Sequence, residues 1–188
     1  MSRWEPDARG RLAQAALELF AERGFDRTTV EDIANRAGLT KRTFFRHFAD
    51  KREVLFAGQD EFRAGFVSAL ADAPTSATPT DAIAISLAAV GASFEGRREF
   101  ARERRQVIAA NPELQERELV KLASVAAALA DALRGRGVEE PEASLTAETA
   151  MAVFRIAFER WVADDEQRDL PELIAESLGA LSRLASTP

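Results

Sequence analysis

Apolar residues return every three or four positions along almost the whole chain. This spacing places them on one face of an α-helix, which completes a turn in about 3.6 residues. No run of apolar and polar alternation, bounded by turn residues, is long enough to indicate a β-strand. The pattern therefore predicts an all-α protein. We expect about nine helices, near residues 8–23, 28–38, 41–48, 50–70 or 73, 81–94, 97–110, 111–134, 145–163 and 169–185.

Capping signals mark where the early helices begin. Thr28, followed three residues later by Glu31, has the spacing of a capping box and predicts the start of the second helix. That helix ends near Gly38, and Thr40 is placed to cap the third. Asp50 is placed to cap the fourth helix. Two short helices separated by a glycine turn predict a helix-turn-helix motif, whose second helix can enter the major groove of DNA.

Charge is divided unevenly along the chain, which has a formal net charge of -6. Residues 1–52 carry 11 basic and 8 acidic side chains, whereas residues 53–188 carry 14 basic and 23 acidic ones. This division predicts a small domain at residues 1–52 that meets a polyanion such as DNA, attached to a larger domain at residues 53–188 that does not. The clearest linker, PTSATPTD at residues 74–81, lies inside the second part.

The third helix and its flanks mix cations with aromatic rings in the stretch LTKRTFFRHFADK, residues 39–51. At about 100° per residue, the aromatic residues fall on one side of this helix and the polar residues on the other. The aromatic side holds Phe44, Phe45 and Phe48, and the polar side holds Arg42, Thr43, Arg46 and His47. We therefore expect the rings to hold the helix against its neighbours while the polar side faces the major groove.

The candidate DNA contacts follow from this helix and from the ends of its neighbours. They are Thr28, Thr40, Lys41, Arg42, Thr43, Arg46, His47 and Lys51. Arg42, Thr43 and Arg46 are the candidates for base edges, since arginine on guanine is the commonest specific contact. The others are candidates for phosphates, and Lys41 suits either role. The alternative is that this basic helix is solvated surface.

The same region resembles the TetR family of bacterial transcriptional regulators. The resemblance lies in FAERGFDRTTVEDIANRAGLTKRTFFRHFADKREVLF, residues 20–56, where TT-V-x-x-IA-x-x-AG, then T-x-x-T-x-x-x-HF and a following lysine match the family pattern. Phe45 departs from it, because the family usually has a tyrosine there whose hydroxyl contacts a phosphate. The resemblance implies a homodimer that binds a palindromic DNA operator, an effector-binding domain, and repression relieved by a small molecule.

The larger part of the chain offers weaker signals. By the resemblance, the last two helices pair with their copies in a dimer interface that includes Trp161, Leu173, Ile174, Leu178 and Leu181. The alternative is that these residues form the core of the subunit. An effector pocket between the middle helices would be lined by Phe62, Phe66, Phe94, Phe100, Val107, Phe154 and Phe158, which also suit plain core. The effector is then mainly apolar.

One charged run, RREFARERR at residues 97–105, has two interpretations. The first is a solvated helix face. The second is that one of its arginines binds an anionic effector, such as an acyl thioester or a carboxylate.

The composition argues against an enzyme and against a metal site. The chain has no cysteine and a single histidine, and it carries neither a glycine-rich phosphate loop nor a Gly-x-Ser-x-Gly motif. We therefore expect no catalytic residues, no metal and no cofactor. No segment has the pattern of a signal peptide or a membrane span, which predicts a cytoplasmic protein. Two alternatives remain open: a helical dimerisation protein that binds an acidic protein partner, and a transcriptional activator.

Overall fold

The computed structural model describes residues 8–163 and 165–185, and these form nine α-helices and one short 3-10 helix. The α-helices are α1 (Ala8–Arg23), α2 (Val30–Arg36), α3 (Lys41–His47), α4 (Gln59–Ala71), α5 (Pro79–Ala92), α6 (Arg98–Ala109), α7 (Pro112–Gly135), α8 (Glu142–Trp161) and α9 (Leu170–Ala185), and the 3-10 helix is Glu53–Phe56. The all-α prediction is confirmed. None of these helices is both long and apolar enough to cross a membrane.

The helices pack into two compact units. The N-terminal unit is the chain up to Gln59 together with Glu103–Glu118, and the C-terminal unit is Asp60–Arg102 with the chain from Leu119 onward. Helices α6 and α7 therefore contribute residues to both units. The functional division at residue 52 stays a prediction, since packing does not show what each part binds. The predicted domains begin at residue 1 and end at residue 188, and both of these residues lie outside the part of the chain that the structure describes.

The core of the N-terminal unit holds α3 in place. Phe44 is fully buried there, together with Leu12 of α1 and Ile33 of α2. Ile108 of α6 and Leu114 of α7 belong to the same cluster. Fully burying a side chain of this size contributes about 1.5–3 kcal/mol. The helix-turn-helix is therefore anchored by residues that lie far apart in the sequence.

The turn between α2 and α3 requires a glycine. Gly38 has a φ of +67°, in the left-handed region that other residues rarely adopt. Its N–H donates to Asn35 O at 3.0 Å, and Leu39 N–H donates to Ala34 O at 2.8 Å. These bonds close the C-terminus of α2 and set the direction in which the chain enters α3.

The predicted cap of α2 was wrong by one residue. Thr29 and Asp32 form the capping box: Asp32 N–H donates to Thr29 Oγ1 at 3.1 Å, and Thr29 N–H donates to the Asp32 carboxylate at 2.9 Å. Hydrogen bonds from Thr29 hold the pKa of Asp32 below its usual value. The consecutive threonines offer two registers with an acid three residues on. Thr29 is the cap because the Thr28 side chain is buried in the N-terminal unit, where it bonds the end of α1.

The predicted start of α4 at Asp50 was also wrong, because α4 begins at Gln59. Asp50 does act as a cap, since its Oδ1 accepts from Arg52 N–H at 2.8 Å and from Glu53 N–H at 3.2 Å. The element that it caps is the 3-10 helix. Residues 54–56 are all buried, and three consecutive buried residues suit a single tight turn within a core better than an amphipathic helix.

The C-terminal unit packs α5, α8 and α9 against one another. Helices α5 and α9 approach closely at Gly91, where an added Cβ would lie 2.8 Å from Ile174 Cδ1. Ser86 is fully buried on α5 and its hydroxyl donates to Phe66 O at 2.8 Å, which links α5 to α4. Arg136 closes the end of α4 by donating to the carbonyl oxygens of Leu70, Ala73 and Pro74.

Candidate nucleic-acid interface

Helix α3 is short and is held at its first turn by a cap. Thr40 Oγ1 accepts a hydrogen bond from Thr43 N–H at 3.1 Å, and the two hydroxyl groups lie 3.0 Å apart. A cap of this kind satisfies a backbone N–H that would otherwise lack a partner at the helix start. Both threonines were predicted as DNA contacts. In this structure they order the N-terminal end of α3, which in helix-turn-helix proteins meets the base edges.

The cations of α3 lie on its outer face, as predicted. Lys41, Arg42 and Arg46 are exposed, and Thr43 and His47 are half-buried. Arg46 Nη2 lies 3.5 Å from His47 Nε2, at the limit of a hydrogen bond. The exposed cations form a positive surface next to the helix start. We call Lys41, Arg42 and Arg46 the cationic face of α3.

Phe45 differs from the other two phenylalanines of the motif. Phe44 and Phe48 are buried at 0% and 4% exposure, as predicted, but Phe45 is 51% exposed. The assignment of Phe45 to the buried side was wrong. Helical spacing places it about 100° from Phe44, at the edge of the apolar face, and the core reaches only one side of so short a helix. Phe45 is therefore a surface residue beside the cationic face that the sequence pattern missed.

Lys51 binds the loop between α1 and α2. Its Nζ donates to Phe25 O at 2.7 Å and to Thr28 O at 3.2 Å, and it lies 4.1 Å from the centre of the Phe25 ring. These contacts use two of the three ammonium hydrogens.

Thr28 lies inside the N-terminal unit, with 1% of its surface exposed. Its hydroxyl donates towards Gly24 O at 2.9 Å and lies 3.3 Å from Leu19 O. The side chain therefore stabilises the end of α1 and faces away from solvent. The predicted side-chain contact of Thr28 with DNA is therefore not supported, although its backbone carbonyl accepts a hydrogen bond from Lys51.

Five of the seven residues predicted for an effector pocket come together in the C-terminal unit. They are Phe62, Phe66, Phe94, Phe154 and Phe158, and Trp161 joins them. Ring centres lie 5.0 Å apart for Phe62 and Phe66, and 5.7 Å apart for Phe158 and Trp161. We call these six residues the aromatic cluster. Phe62, Phe94 and Phe158 are only half-buried, so part of the cluster is accessible from outside.

The other two predicted pocket residues lie elsewhere. Phe100 is 41% exposed, and Val107 belongs to the core of the N-terminal unit. Val107 also borders a cavity of about 490 Å³ in that unit, beside Phe20, Phe25 and Gln106. Val107 is separated from the aromatic cluster because α6 passes into the N-terminal unit after Arg102, whereas Phe100 lies in the C-terminal unit but is exposed.

Arg98, Arg102 and Arg104 fit neither of the two interpretations of residues 97–105, whereas Arg97 is exposed, as expected of a solvated face. Arg98 donates to the carbonyl oxygens of Glu166 and Arg168, and Arg102 donates to those of Val162 and Ala163. Such bonds close the C-terminal end of α8, where backbone carbonyls lack helical partners. These two arginines are structural.

A third arginine of the run, Arg104, lies in the N-terminal unit. It donates to Leu55 O at 2.7 Å and to Glu118 at 2.9 Å, and its guanidinium lies 5.1 Å from the centre of the Phe56 ring. A neighbouring ion pair joins Arg117 to Glu53 at 2.5 Å. The 3-10 helix is thereby tied to α6 and α7.

The predicted dimer residues are mostly buried within the subunit. Trp161, Leu173 and Ile174 are at most 3% exposed and belong to the C-terminal core, whereas Leu181 is 37% exposed and Leu178 is half-buried. Other apolar residues of α8 and α9 are exposed instead: Leu145 at 63%, Ile156 at 46% and Leu184 at 76%. Leu145 and Ile156 lie within about 20° of each other around α8. We call Leu145, Ile156, Leu178, Leu181 and Leu184 the apolar face of α8 and α9.

The part of the chain that the structure describes contains no group of three or more histidine, aspartate or glutamate side chains placed to hold a metal ion.

Comparison with protein-family models gives two matches that together cover most of the chain. Residues 12–57 match the model described as bacterial regulatory proteins, tetR family. Residues 77–185 match the model described as the MftR C-terminal domain. The first match contains α2, α3 and the cationic face, and the second contains α5 to α9.

Similar proteins are named as transcriptional regulators. MftR of Mycobacterium tuberculosis, named for mycofactocin biosynthesis, is 28% identical over 172 residues, which is 90% of this chain and 84% of that protein. TcmR of Streptomyces glaucescens is 40% identical over 82 residues, but the match spans only 36% of its length and 44% of this chain. The structure of FadR from Bacillus subtilis in complex with stearoyl-CoA matches with a TM-score of 0.63 at 21% identity, covering 92% of this chain and 96% of FadR. At that identity the likeness shows a shared fold.

Proposed function

The chain belongs to the TetR family of bacterial regulatory proteins, which are DNA-binding transcription factors and not enzymes, and on that premise we propose how it regulates. A homodimer binds a palindromic operator through two copies of α3 and represses transcription in the cytoplasm. A small, mainly apolar molecule binds the C-terminal unit and releases the DNA.

The observation that carries the DNA-binding proposal is the construction of α3. Three cations are exposed on a helix that is anchored by the fully buried Phe44 and capped by Thr40. Because the core fixes the buried side of α3, the helix can hold Arg42 and Arg46 at a defined position relative to base edges. Lys41 and Lys51 suit the phosphates on either side.

The homodimer proposal rests on the apolar face of α8 and α9. Monomeric proteins rarely expose several large apolar residues on one surface, and such a surface usually marks an interface. Two copies of the same face, related by a two-fold axis, would bury each other. The same axis would present two copies of α3 to two half-sites about one helical turn of DNA apart, or a multiple of it.

Replacing Ile156 by glutamate is expected to weaken the dimer at least about tenfold. The change places a charge in the proposed interface, and the two-fold symmetry brings each new carboxylate near its own copy, where desolvation and repulsion add. Sedimentation equilibrium of the purified variant measures the dimer dissociation constant.

Ile85→Glu is the matched control, since Ile85 is 42% exposed on α5, close to the 46% of Ile156 on α8. The control is expected to dimerise as the wild type does. Equal dimer stability in all three proteins would place the interface on another face.

The effector proposal rests on the aromatic cluster. The six aromatic side chains pack in edge-to-face, tilted and stacked contacts, and three of them remain partly accessible. Apolar molecules bind such surfaces by displacing water from the rings. FadR, which shares the fold, holds stearoyl-CoA, so this acyl thioester is a suitable first probe.

Release would follow from the way in which α6 and α7 hold the 3-10 helix. In the N-terminal unit, Arg104 of α6 donates a hydrogen bond to Leu55 O, and Arg117 of α7 forms an ion pair with Glu53. A ligand that favours a different position of α6 would move these contacts and with them the end of the helix-turn-helix. The ligand shifts the protein from the DNA-binding state to the released state only to the extent that it binds the released state more tightly.

The whole proposal is tested by selecting operator DNA from a random duplex pool and titrating it with the full-length protein. We expect a palindromic sequence bound as a discrete complex. We also expect affinity to fall steeply with salt, because each neutralised phosphate releases about 0.9 counterions.

Adding stearoyl-CoA is expected to release the DNA. A Trp4→Phe variant, in which Trp161 is the only remaining tryptophan, should then report binding at the aromatic cluster through its fluorescence.

Recovery of no preferred sequence would contradict DNA reading by this chain. Release of DNA without any change in Trp161 fluorescence would instead move the effector site away from the aromatic cluster. Salt-insensitive, weak binding by a stable dimer would favour an acidic protein as the partner of the cationic face.

A further inference from the structure

The ring of Phe45 lies largely outside the core of the N-terminal unit. About half of its surface, 51%, is exposed, whereas the neighbouring Phe44 is fully buried. A phenyl ring has no hydrogen-bonding group, so its contact with water is unfavourable and is offset by nothing nearby. The ring also lies beside the exposed Arg42 and Arg46, which places it on the surface proposed to meet DNA.

The position of Phe45 is well defined even though it is exposed. Its ring meets the ring of Phe44 edge to face, with 5.6 Å between centres and 82° between planes. Phe44 is in turn held by the core, and its ring centre lies 5.5 Å from that of Phe48. The exposed ring therefore rests on a fixed support, as a residue that makes a specific contact should.

We propose that Phe45 contacts the C5-methyl group of a thymine in each operator half-site and so contributes to sequence specificity. In the major groove the thymine methyl is the apolar group at a base edge, whereas the other bases present polar donors and acceptors there. A phenyl ring cannot bond a phosphate, so the apolar group is the feature that it can recognise. Arg42 lies three residues before Phe45 and Arg46 directly after it. A position of α3 that brings these two arginines to base edges would therefore also place the Phe45 ring in the groove.

This inference rests on the proposed DNA-binding function, and its test separates the two. The selected operator is synthesised with deoxyuridine in place of thymidine at one symmetric pair of positions at a time, which removes only the methyl groups. Affinities of the full-length wild type, Phe45→Ala and Phe45→Tyr are then measured by fluorescence anisotropy. All three proteins keep Phe44 and the cationic face.

We expect one thymine pair at which deoxyuridine weakens wild-type binding by about three- to tenfold, the scale of burying a methyl group in each half-site. Phe45→Ala is expected to bind the unsubstituted operator more weakly by a similar factor and to be insensitive to the substitution at that pair. Phe45→Tyr, which keeps the ring, is expected to remain sensitive.

Two results would overturn the inference. One is a wild type that binds every deoxyuridine operator as tightly as the parent; the other is a methyl effect of equal size in Phe45→Ala, which would assign the methyl contact to another residue. Absence of binding to the parent operator by the wild type would instead refute the DNA-binding function itself.

Discussion

Replacing Arg42 and Arg46 together by alanine is expected to lower operator affinity at least about 100-fold, since a good arginine contact with a base contributes about 1–3 kcal/mol to discrimination. Both side chains are exposed on α3, and neither has a resolved role in the core, so the fold should persist. The slope of affinity against salt should also fall, because two cations per subunit are removed. Anisotropy titrations at two or more salt concentrations measure both effects.

The matched control removes two other arginines, Arg97 and Arg134, which are exposed in the C-terminal unit. The net charge changes by the same amount, so general attraction between protein and DNA is affected alike. The control is expected to lose little affinity. If both double variants bind with equal affinity and equal salt dependence, the cationic face of α3 does not read DNA.

Replacing Phe44 by alanine is expected to destabilise the N-terminal unit by about 3–5 kcal/mol. The side chain is fully buried and contacts Phe45 and Phe48 through its ring, so its removal leaves a cavity behind α3. Hydrogen exchange of the amides in α2 and α3 measures the local effect, which a single denaturation curve of a two-unit protein does not isolate.

Phe45→Ala is the natural comparison, because it makes the same chemical change one residue along the chain. At 51% exposure, its loss is expected to change stability by less than about 1 kcal/mol. Equal protection losses in the two variants would mean that Phe45 contributes to the core as much as Phe44 does.

Most of the helix-turn-helix could be predicted from the sequence. Capping residues and glycines act within a few positions of themselves, so Thr40 and Gly38 were enough to place the start of α3 and the end of α2. The exposed cations of α3 followed from helical spacing. Before α2, both Thr28 and Thr29 have the spacing of a cap, and the sequence pattern predicted Thr28 although the cap is Thr29.

Other site residues could not be predicted, since their roles depend on distant parts of the chain. The spacing of Arg98 and Arg102 shows a basic helix face, but their carbonyl partners lie 60 to 70 residues later. Trp161, Leu173 and Ile174 have the same apolar character as Leu181, and only packing decides which of them face the core and which face solvent. The location of the dimer interface on these two helices stays a prediction, and three of its five predicted residues, Trp161, Leu173 and Ile174, lie in the core of the subunit.

By itself the sequence determined the fold class, the family and the exposed cations of α3, because hydrophobic period, helix caps and glycine turns are local properties that do not depend on how the helices are arranged. The tertiary structure decided which side of each helix is covered. It exposed Phe45, buried Thr28, divided the predicted pocket between two units and bonded Arg98, Arg102 and Arg104 to backbone carbonyls. The physical reason is that burial is a property of contacts between distant segments, and a repeating pattern within one segment does not specify its neighbour.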